Sequence, residues 1–360
     1  MSFNWGETSI GLDISDRSLK VVRLVKRGKK NTLVYFNDVA VPPGVLETGE
    51  IKNEKKIIEL LSGLAKKAKI KKTANEPVIS VLPETKTFIK LIEIPTTETS
   101  EKTKGEQKLF EQLIKEEMVN HIPLNPEEIY LDWQMLSRSP DTTRLLVGAA
   151  PKTIAVSYYA MLEKSGLKPQ VLEIEAAPII RSLIKEGDPG SKMIIDFGAT
   201  RTGLIIYSQQ TVNFTVSLPI SGENITKTIA ETLKIDPTKA EESKIVCGLD
   251  KEKCDGALLK VLMEPIDAMA SHITKALAYY QANFSKNDGI SEIILCGGGA
   301  NFINIEKVLG EKVGLPVVIG NPLTNIAISK KIILPLEKAR TYTTAIGLAL
   351  NGLQLNRWFH

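Results

Sequence analysis

Two aspartates in this chain stand in the same local setting. Asp13 closes the apolar run of Ile10-Gly11-Leu12-Asp13-Ile14-Ser15, and Asp196 does the same in Ile194-Ile195-Asp196-Phe197-Gly198-Ala199-Thr200. Each is followed by small or hydroxyl residues and then by a second apolar stretch. A tight hairpin after a buried strand turns several backbone N–H groups toward one point, which suits the oxygens of a polyphosphate. Ser15 and Ser18 add hydroxyls to the first hairpin; Gly198, Thr200 and Thr202 belong to the second. Lys20 offers a point charge to a phosphate. Mg2+ keeps most of its waters and takes few carboxylates, so Asp13 and Asp196 from opposite sides would hold a hydrated Mg2+ beside ATP. A single strand-end aspartate often does no more than cap a turn. The repeated setting is what points to a ligand.

A third turn, Gly297-Gly298-Gly299, follows a short apolar strand and precedes a helix. Glycine there lets the backbone approach a ligand closely and take positive φ, which would suit a purine. Taken alone, a plain strand-to-helix turn explains it better. No Gly-x4-Gly-Lys-Ser/Thr run occurs, so a P-loop is excluded.

The elements that must position these residues repeat as well. The first forty residues read as three strands, 9–15, 19–26 and 32–41, with short polar links. A helix over 54–68 and a strand over 77–82 follow. After the turn cluster Gly187-Asp188-Pro189-Gly190 the order restarts with strands at 192–197, 203–207 and 211–217. Helices come next at 222–233, 237–244 and 258–285, then a strand at 293–295, a helix at 302–313 and a strand at 316–319. A small-residue helix over 342–353 closes the chain.

The stretch between the halves differs. A strand at 86–94 is stopped by Pro95, residues 98–108 read as a mobile loop, and 106–121 is an amphipathic helix. Strands at 129–136 and 144–149 and a helix at 153–164 complete an insertion with its own small sheet. A strand at 170–174 and a helix through 181–185 then resume the first half. The fold class is α/β, with two duplicated lobes. The expected units are 1–84 (first lobe), 85–168 (insertion), 169–190 (first lobe continued), 191–340 (second lobe) and 341–360 (helix and tail returning to the first lobe).

Length and composition agree with two domains. At 360 residues the chain exceeds what one core usually supports. The 46 basic and 42 acidic residues nearly balance, and lysines such as Lys55, Lys56, Lys66, Lys67 and Lys69 are scattered along helix faces, so nucleic acid is not an expected partner. Cys247, Cys254 and Cys296 form no even disulfide framework and suggest a reducing compartment. With no His or further Cys near Cys247 and Cys254, a metal site there is not expected. Residues 1–8 hold no signal-peptide core, and no apolar run is long enough to span a membrane. The expected location is the cytoplasm.

In order along the chain, the hairpin at 11–20, the hairpin at 196–202 and the turn at 297–300 resemble the two phosphate loops and the adenosine loop of the actin-like ATPase superfamily. The resemblance covers nearly the whole chain and implies a ribonuclease H-like, two-lobed fold that binds ATP and Mg2+ between its lobes. It also implies that Gly222, with Glu241 and Lys244 of Ala240-Glu241-x-x-Lys244, contacts ribose and adenine. Glu175, in Ile174-Glu175-Ala176-Ala177-Pro178, matches the glutamate that polarises water beside the γ-phosphate in bacterial actins. The blander reading is a helix N-terminal charge. Ser15 stands where the family usually has Gly, and Ala300-Asn301-Phe302 where Ser-x-Leu is usual, so slow turnover at best is expected.

More narrowly, several segments resemble the PilM family of cytoplasmic type IV pilus assembly proteins. They are Ser9-Ile10-Gly11-Leu12-Asp13-Ile14, Ser18-Leu19-Lys20-Val21-Val22, His121-Ile122-Pro123-Leu124 with Glu127-Glu128, Leu131-Asp132-Trp133, and Ala345-Ile346-Gly347-Leu348-Ala349-Leu350. This implies an ATP-dependent scaffold at the inner face of the cytoplasmic membrane. Its partner would be the N-terminal tail of a PilN-like inner-membrane protein, docked between the first lobe and the insertion. Self-association is a further property that the resemblance raises. An FtsA-like filament former is one alternative; it predicts a long linker and a basic amphipathic C-terminal helix, where residues 353–360 offer Leu355, Trp358 and Phe359. Phe3 and Trp5 at the other end could touch lipid or a partner, but read better as a frayed terminus. A small-molecule kinase on the same fold is the other alternative.

Overall fold

The computed structural model of the chain describes residues 8–70, 77–96, 104–119, 125–284 and 289–355. The segment His121–Leu124, Phe3, Trp5, Trp358 and Phe359 lie outside the described residues. The chain begins with β1 (Thr8–Ser15), β2 (Ser18–Arg27), β3 (Lys30–Ala40), the small pair β4 (Leu46–Glu47) and β5 (Glu50–Ile51), α1 (Glu54–Lys67) and β6 (Val78–Leu82). The insertion contributes β7 (Phe88–Pro95), α2 (Lys104–Val119), β8 (Ile129–Arg138) and β9 (Thr142–Pro151), followed by α3 (Lys152–Lys164), β10 (Pro169–Ile174) and α4 (Ala176–Leu183). The second half holds β11 (Lys192–Phe197), β12 (Thr202–Ser208), β13 (Thr211–Leu218), α5 (Gly222–Leu233), α6 (Pro237–Cys247), α7 (Ala257–Asn283), β14 (Glu292–Cys296), α8 (Ile305–Val313) and β15 (Val317–Ile319). β16 (Ala327–Ile328), α9 (Leu336–Arg340) and α10 (Thr343–Leu355) complete it.

The duplication is explicit in the sheets. In the first lobe the strand order is β10-β6-β1-β2-β3, and in the second it is β15-β14-β11-β12-β13. Both combine a three-stranded antiparallel meander with two parallel strands on the side of its first strand. Parallel strands covered on both faces need continuous apolar runs, and β6 (Val-Ile-Ser-Val-Leu) is buried at every position. Because equivalent strands end at the same level, β1 and β11 deliver Asp13 and Asp196 to one cleft.

Helix α10 explains its own small-residue composition. It packs on β1, β2, β6 and α4, and its neighbours leave no room for side chains at the crossing points. A Cβ on Gly11 would lie 2.0 Å from the Ala345 carbonyl oxygen, and one on Gly347 would lie 1.8 Å from that of Pro178.

Several expectations change in the folded chain. The insertion ends earlier than residue 168, because Tyr158, Met161 and Leu162 of α3 share a core with Ile57 and Leu61 of α1 in the first lobe. Its sheet is also not separate: β7-β9-β8 extends the second lobe's sheet through β13, by the single pair Lys90 with Phe214. An open edge strand invites such pairing. The loop expected over 98–108 is already helical from Lys104. The chain re-enters the first lobe before residue 341, since β16 pairs with β3 and Leu323, Ile326 and Leu334 pack in its core.

Cys247 and Cys254 are joined as a disulfide, their Cα atoms 6.0 Å apart; the turn after α6 returns the chain within bonding range. No helix among the described residues is long and apolar enough to cross a membrane.

Candidate functional site

The first hairpin arrives pre-arranged. The β1–β2 register sets Asp13 opposite Lys20 and Ser15 opposite Ser18. Lys20 Nζ lies 3.3 Å from Asp13 Oδ2 and donates to Ser18 Oγ at 2.7 Å. Ser15 Oγ donates to the Ser18 carbonyl at 3.0 Å. One cation is thus held beside a carboxylate that is only 5% exposed, in a ring of hydroxyls. A phosphate entering here would meet Lys20 already oriented.

The second hairpin is tied from both sides. Gly198 N–H donates to the Arg201 carbonyl at 2.9 Å, closing the turn. Gly222 N–H and Glu223 N–H donate to the carbonyls of Gly198 and Ala199, at 3.0 and 2.9 Å. The first turn of α5, capped by Ser221 Oγ on Asn224 N–H, is thereby fixed against the loop. Cys296 Sγ lies 3.7 Å from Asp196 Oδ1.

The three glycines of the third turn have three different reasons. Gly297 takes φ +77° and a Cβ there would fall 2.5 Å from Asp196 Oδ1. A Cβ on Gly299 would strike the Phe197 ring at 2.2 Å. Only Gly298 faces open space, with nothing within 4 Å of its would-be Cβ. Backbone exposed in that way is what a flat ring can lie upon.

Two cavities meet between the lobes. One of about 240 Å3 is lined by Asp13, Ser15, Ser18 and Lys20 on one side and by Asp196, Gly198 and Thr200 on the other, with Glu175 and Gly297. A larger, more apolar one of about 670 Å3 is lined by Gly222, Glu241, Lys244, Gly298, Gly299 and Phe302. Arg17, Gly198, Ala199, Gly298 and Thr341 line both, so the space is continuous. A narrow charged end joined to a wider apolar end matches the shape and polarity of a nucleoside triphosphate. Among the described residues no group of three or more His, Cys, Asp or Glu converges on a metal position. The donor set fits an ion held by two carboxylates and completed by phosphate oxygens and water.

All the residues singled out from sequence gather at this cleft except Thr202. Its hydroxyl is fully buried and donates to the Ile220 carbonyl at 2.7 Å, so it braces the strand end rather than facing the cavity. Lys244 also serves the structure, donating to the Gly222 carbonyl at 3.0 Å and to Thr226 Oγ1 at 2.7 Å and pairing with Glu241.

Sequence reasoning missed Arg17, Glu84 and Arg201. Arg17 reaches over the cleft to pair with Glu223 of α5. Arg201 contacts both Glu84 and Glu175. A charged residue between Thr200 and Thr202 was a visible signal; its partners follow only from strand order, because β6 and β10 are neighbours and both end beneath the second hairpin.

Burial dominates the electrostatics of this floor. It pushes the Glu175 carboxyl up to about 8 against the pull of Arg201, with Asp196, Glu84 and Asp13 adding to the rise. Burial also raises Asp196 and Glu84, and Arg201 opposes it in both. At this floor Asp13, Glu84, Glu175 and Asp196 face Lys20 and Arg201, a local excess of acid that a bound cation would relieve.

Comparison with known proteins places this architecture. The model for the family described as type IV pilus assembly protein PilM matches residues 11–353. The cell division protein FtsA of Pseudomonas aeruginosa is 25% identical over 179 residues, 45% of this chain and 42% of that protein. FtsA of Borreliella burgdorferi is 26% identical over 195 residues, 47% of this chain and 44% of that protein. The chain thus matches less than half the length of these curated relatives. Among solved structures, a PilM–PilN type IV pilus biogenesis complex superposes with a TM-score of 0.80 at 21% identity, covering 96% of this chain and 98% of that one. MreB5 of Spiroplasma citri bound to ADP gives 0.56 at 15% identity, covering 98% and 99%. The fold is the actin-like, two-lobed one.

Proposed function

This chain belongs to the family of type IV pilus assembly protein PilM, and we propose that it works there as an ATP-binding scaffold whose nucleotide state governs the docking of a PilN-like inner-membrane protein. The observation that carries this reading is the continuous cleft with Asp13 and Asp196 at its charged end and the open backbone of Gly298 at its apolar end. Asp13 and Asp196 would hold Mg2+, which supplies charge neutralisation for the phosphates. Lys20, Ser15, Ser18 and Thr200 receive the phosphate oxygens, while Glu241, Lys244 and Phe302 enclose the nucleoside. The solved relatives in complex with PilN and with ADP support the partner and the ligand class.

The partner's N-terminal segment would enter a cavity of about 500 Å3 between α4, the β12–β13 hairpin and the insertion, lined by Ile180 and Ile184, by Tyr207 and Val212, and by Gln134 and Leu146. Such docking places the protein at the inner face of the cytoplasmic membrane through its partner. The test is capture of the full chain on an immobilised PilN-like N-terminal peptide, with and without Mg-ATP. Retention is expected for the native chain, and Leu146→Arg should abolish it while ATP binding persists. Absence of ATP binding by the native chain, or unchanged capture of Leu146→Arg, would sink the reading.

Glu175 is positioned to orient a water at the phosphate end, and it can do so only when ionised. With its carboxyl raised to about 8, single-turnover hydrolysis should climb as pH rises from about 7 to about 9. Glu175→Gln should flatten that climb. A flat native profile would remove Glu175 from the role.

A further inference from the structure

Arg201 belongs to the second lobe, yet its side chain is committed to the first. One guanidinium nitrogen contacts Glu84 and another contacts Glu175. These acids follow β6 and β10, neighbouring parallel strands paired at Leu82 and Ile174. The three side chains are 19%, 8% and 12% exposed, so the contact is sheltered from solvent and salt. Space for it depends on Gly203, where a Cβ would lie 3.0 Å from Glu84 Oε2 and 3.3 Å from Arg201 Nη1. Glu84 Oε1 is buried with no hydrogen-bond partner among the described residues. A carboxylate kept in that state has little besides Arg201 to offset its burial.

The only other charged contact described between the hairpins' own residues and the opposite lobe, Arg17 with Glu223, is at the mouth, with side chains 29% and 46% exposed. Exposed pairs contribute little. Sheltered pairs that must be broken to separate two bodies act chiefly on the rate of separation. We propose that Arg201 is a positioning residue for the nucleotide site: by holding Glu84 and Glu175 together it latches the second phosphate hairpin to the first lobe and so sets how long a nucleoside triphosphate stays bound. This rests on the nucleotide reading above and adds to it the residue that governs residence time.

The experiment uses the full chain with a fluorescent ATP analogue, chased with excess ATP. Arg201→Gln should release the analogue about tenfold faster or more, with association changed by no more than about twofold. Glu84→Gln should give an intermediate rate, and Glu84→Gln combined with Arg201→Gln should release no faster than Arg201→Gln alone, because both remove the same latch. Lys164→Gln, which breaks an exposed pair with Glu54 and lines neither cavity, is expected to change release by less than about twofold. Release within twofold of the native chain in Arg201→Gln, or effects of Arg201 and Glu84 that multiply, would overturn the proposal.

A second readout needs no nucleotide. Amide hydrogen exchange over residues 198–203 of the empty protein should accelerate in Arg201→Gln, and in Glu84→Gln should Arg201→Gln not fold. Unchanged exchange there would also refute the latch. Failure of the native chain to bind the analogue would instead refute the nucleotide reading, leaving the exchange result to decide the latch.

Discussion

Gly347→Ala should cost the fold about 3 kcal/mol or more, a large share of the stability of an ordinary domain. The added methyl would lie 1.8 Å from the Pro178 carbonyl oxygen and 2.4 Å from its carbon. These are backbone atoms of α4, which cannot swing away as a side-chain tip would. Helix α10 must therefore lift from α4, and it cannot do so freely. On its other face Gly11 of β1 approaches the Ala345 carbonyl oxygen and the Ala349 nitrogen, where a Cβ would fall at 2.0 and 2.5 Å. The same strand carries Asp13, so a shifted α10 also disturbs the nucleotide cleft. Gly63, inside α1, has nothing within 4 Å of its would-be Cβ. Gly63→Ala is the internal control and should stabilise by roughly 0.5–1 kcal/mol through helix propensity. Denaturant midpoints for the two variants should move in opposite directions; a harmless Gly347→Ala would show that the helix crossing is looser than its geometry.

The second large effect separates binding from stability. Asp196→Asn should weaken Mg2+-dependent nucleotide binding by about 100-fold, as loss of a carboxylate ligand to a hard cation implies. The empty protein, by contrast, should be no less stable at low pH and more stable once pH has risen through the raised value of the Asp196 carboxyl. Burial raises the Asp196 carboxyl above its ordinary range, with Asp13 adding to the rise and Arg201 opposing it. The native state therefore binds this proton more tightly than the unfolded chain does. Stability from this group is greatest at low pH and falls as pH rises through the raised value. Asparagine removes that dependence. Thermal melts of the empty protein over a pH series that starts below the ordinary aspartate range should show the variant gaining on the native chain as pH rises. An equal loss of binding and of stability would mean that Asp196 is mainly structural.

The repeated strand–turn–strand units were legible because a buried strand leaves an unbroken apolar run and a hairpin leaves small polar residues after it. Asp13 and Asp196 stood out on that basis, and the cleft unites them. The nucleoside end was legible only through the resemblance, since Glu241 and Lys244 carry no periodic signal of their own. What stayed hidden depended on neighbours distant in sequence. The helical spacing of Tyr158, Met161 and Leu162 in α3 is compatible with a buried face, but does not say that the core it joins is the first lobe's. Thr202 has the right type and place for a phosphate ligand, yet its hydroxyl turns to the Ile220 carbonyl because that acceptor would otherwise be buried unpaired. The pairing of Cys247 with Cys254 required the fold of the turn after α6.

The join between the insertion and the second lobe has a mechanical consequence. Covalently the insertion is strung between β6 and α3 of the first lobe, while its sheet joins the second lobe's by the single pair Lys90 with Phe214. Beside that pair, Ile89 and Leu146 pack against a core that includes Ile205, Tyr207 and Val212, and Arg144 donates to Gln209. One ladder pair bends more easily than a full ladder, and the side chains packed beside it make the insertion move with the second lobe. Opening of the nucleotide cleft would then carry the insertion along and alter the width of the cavity between Leu146 and α4. Whatever fills that cavity and whatever fills the cleft would each change the affinity for the other by the same factor, as reciprocity of coupled binding demands.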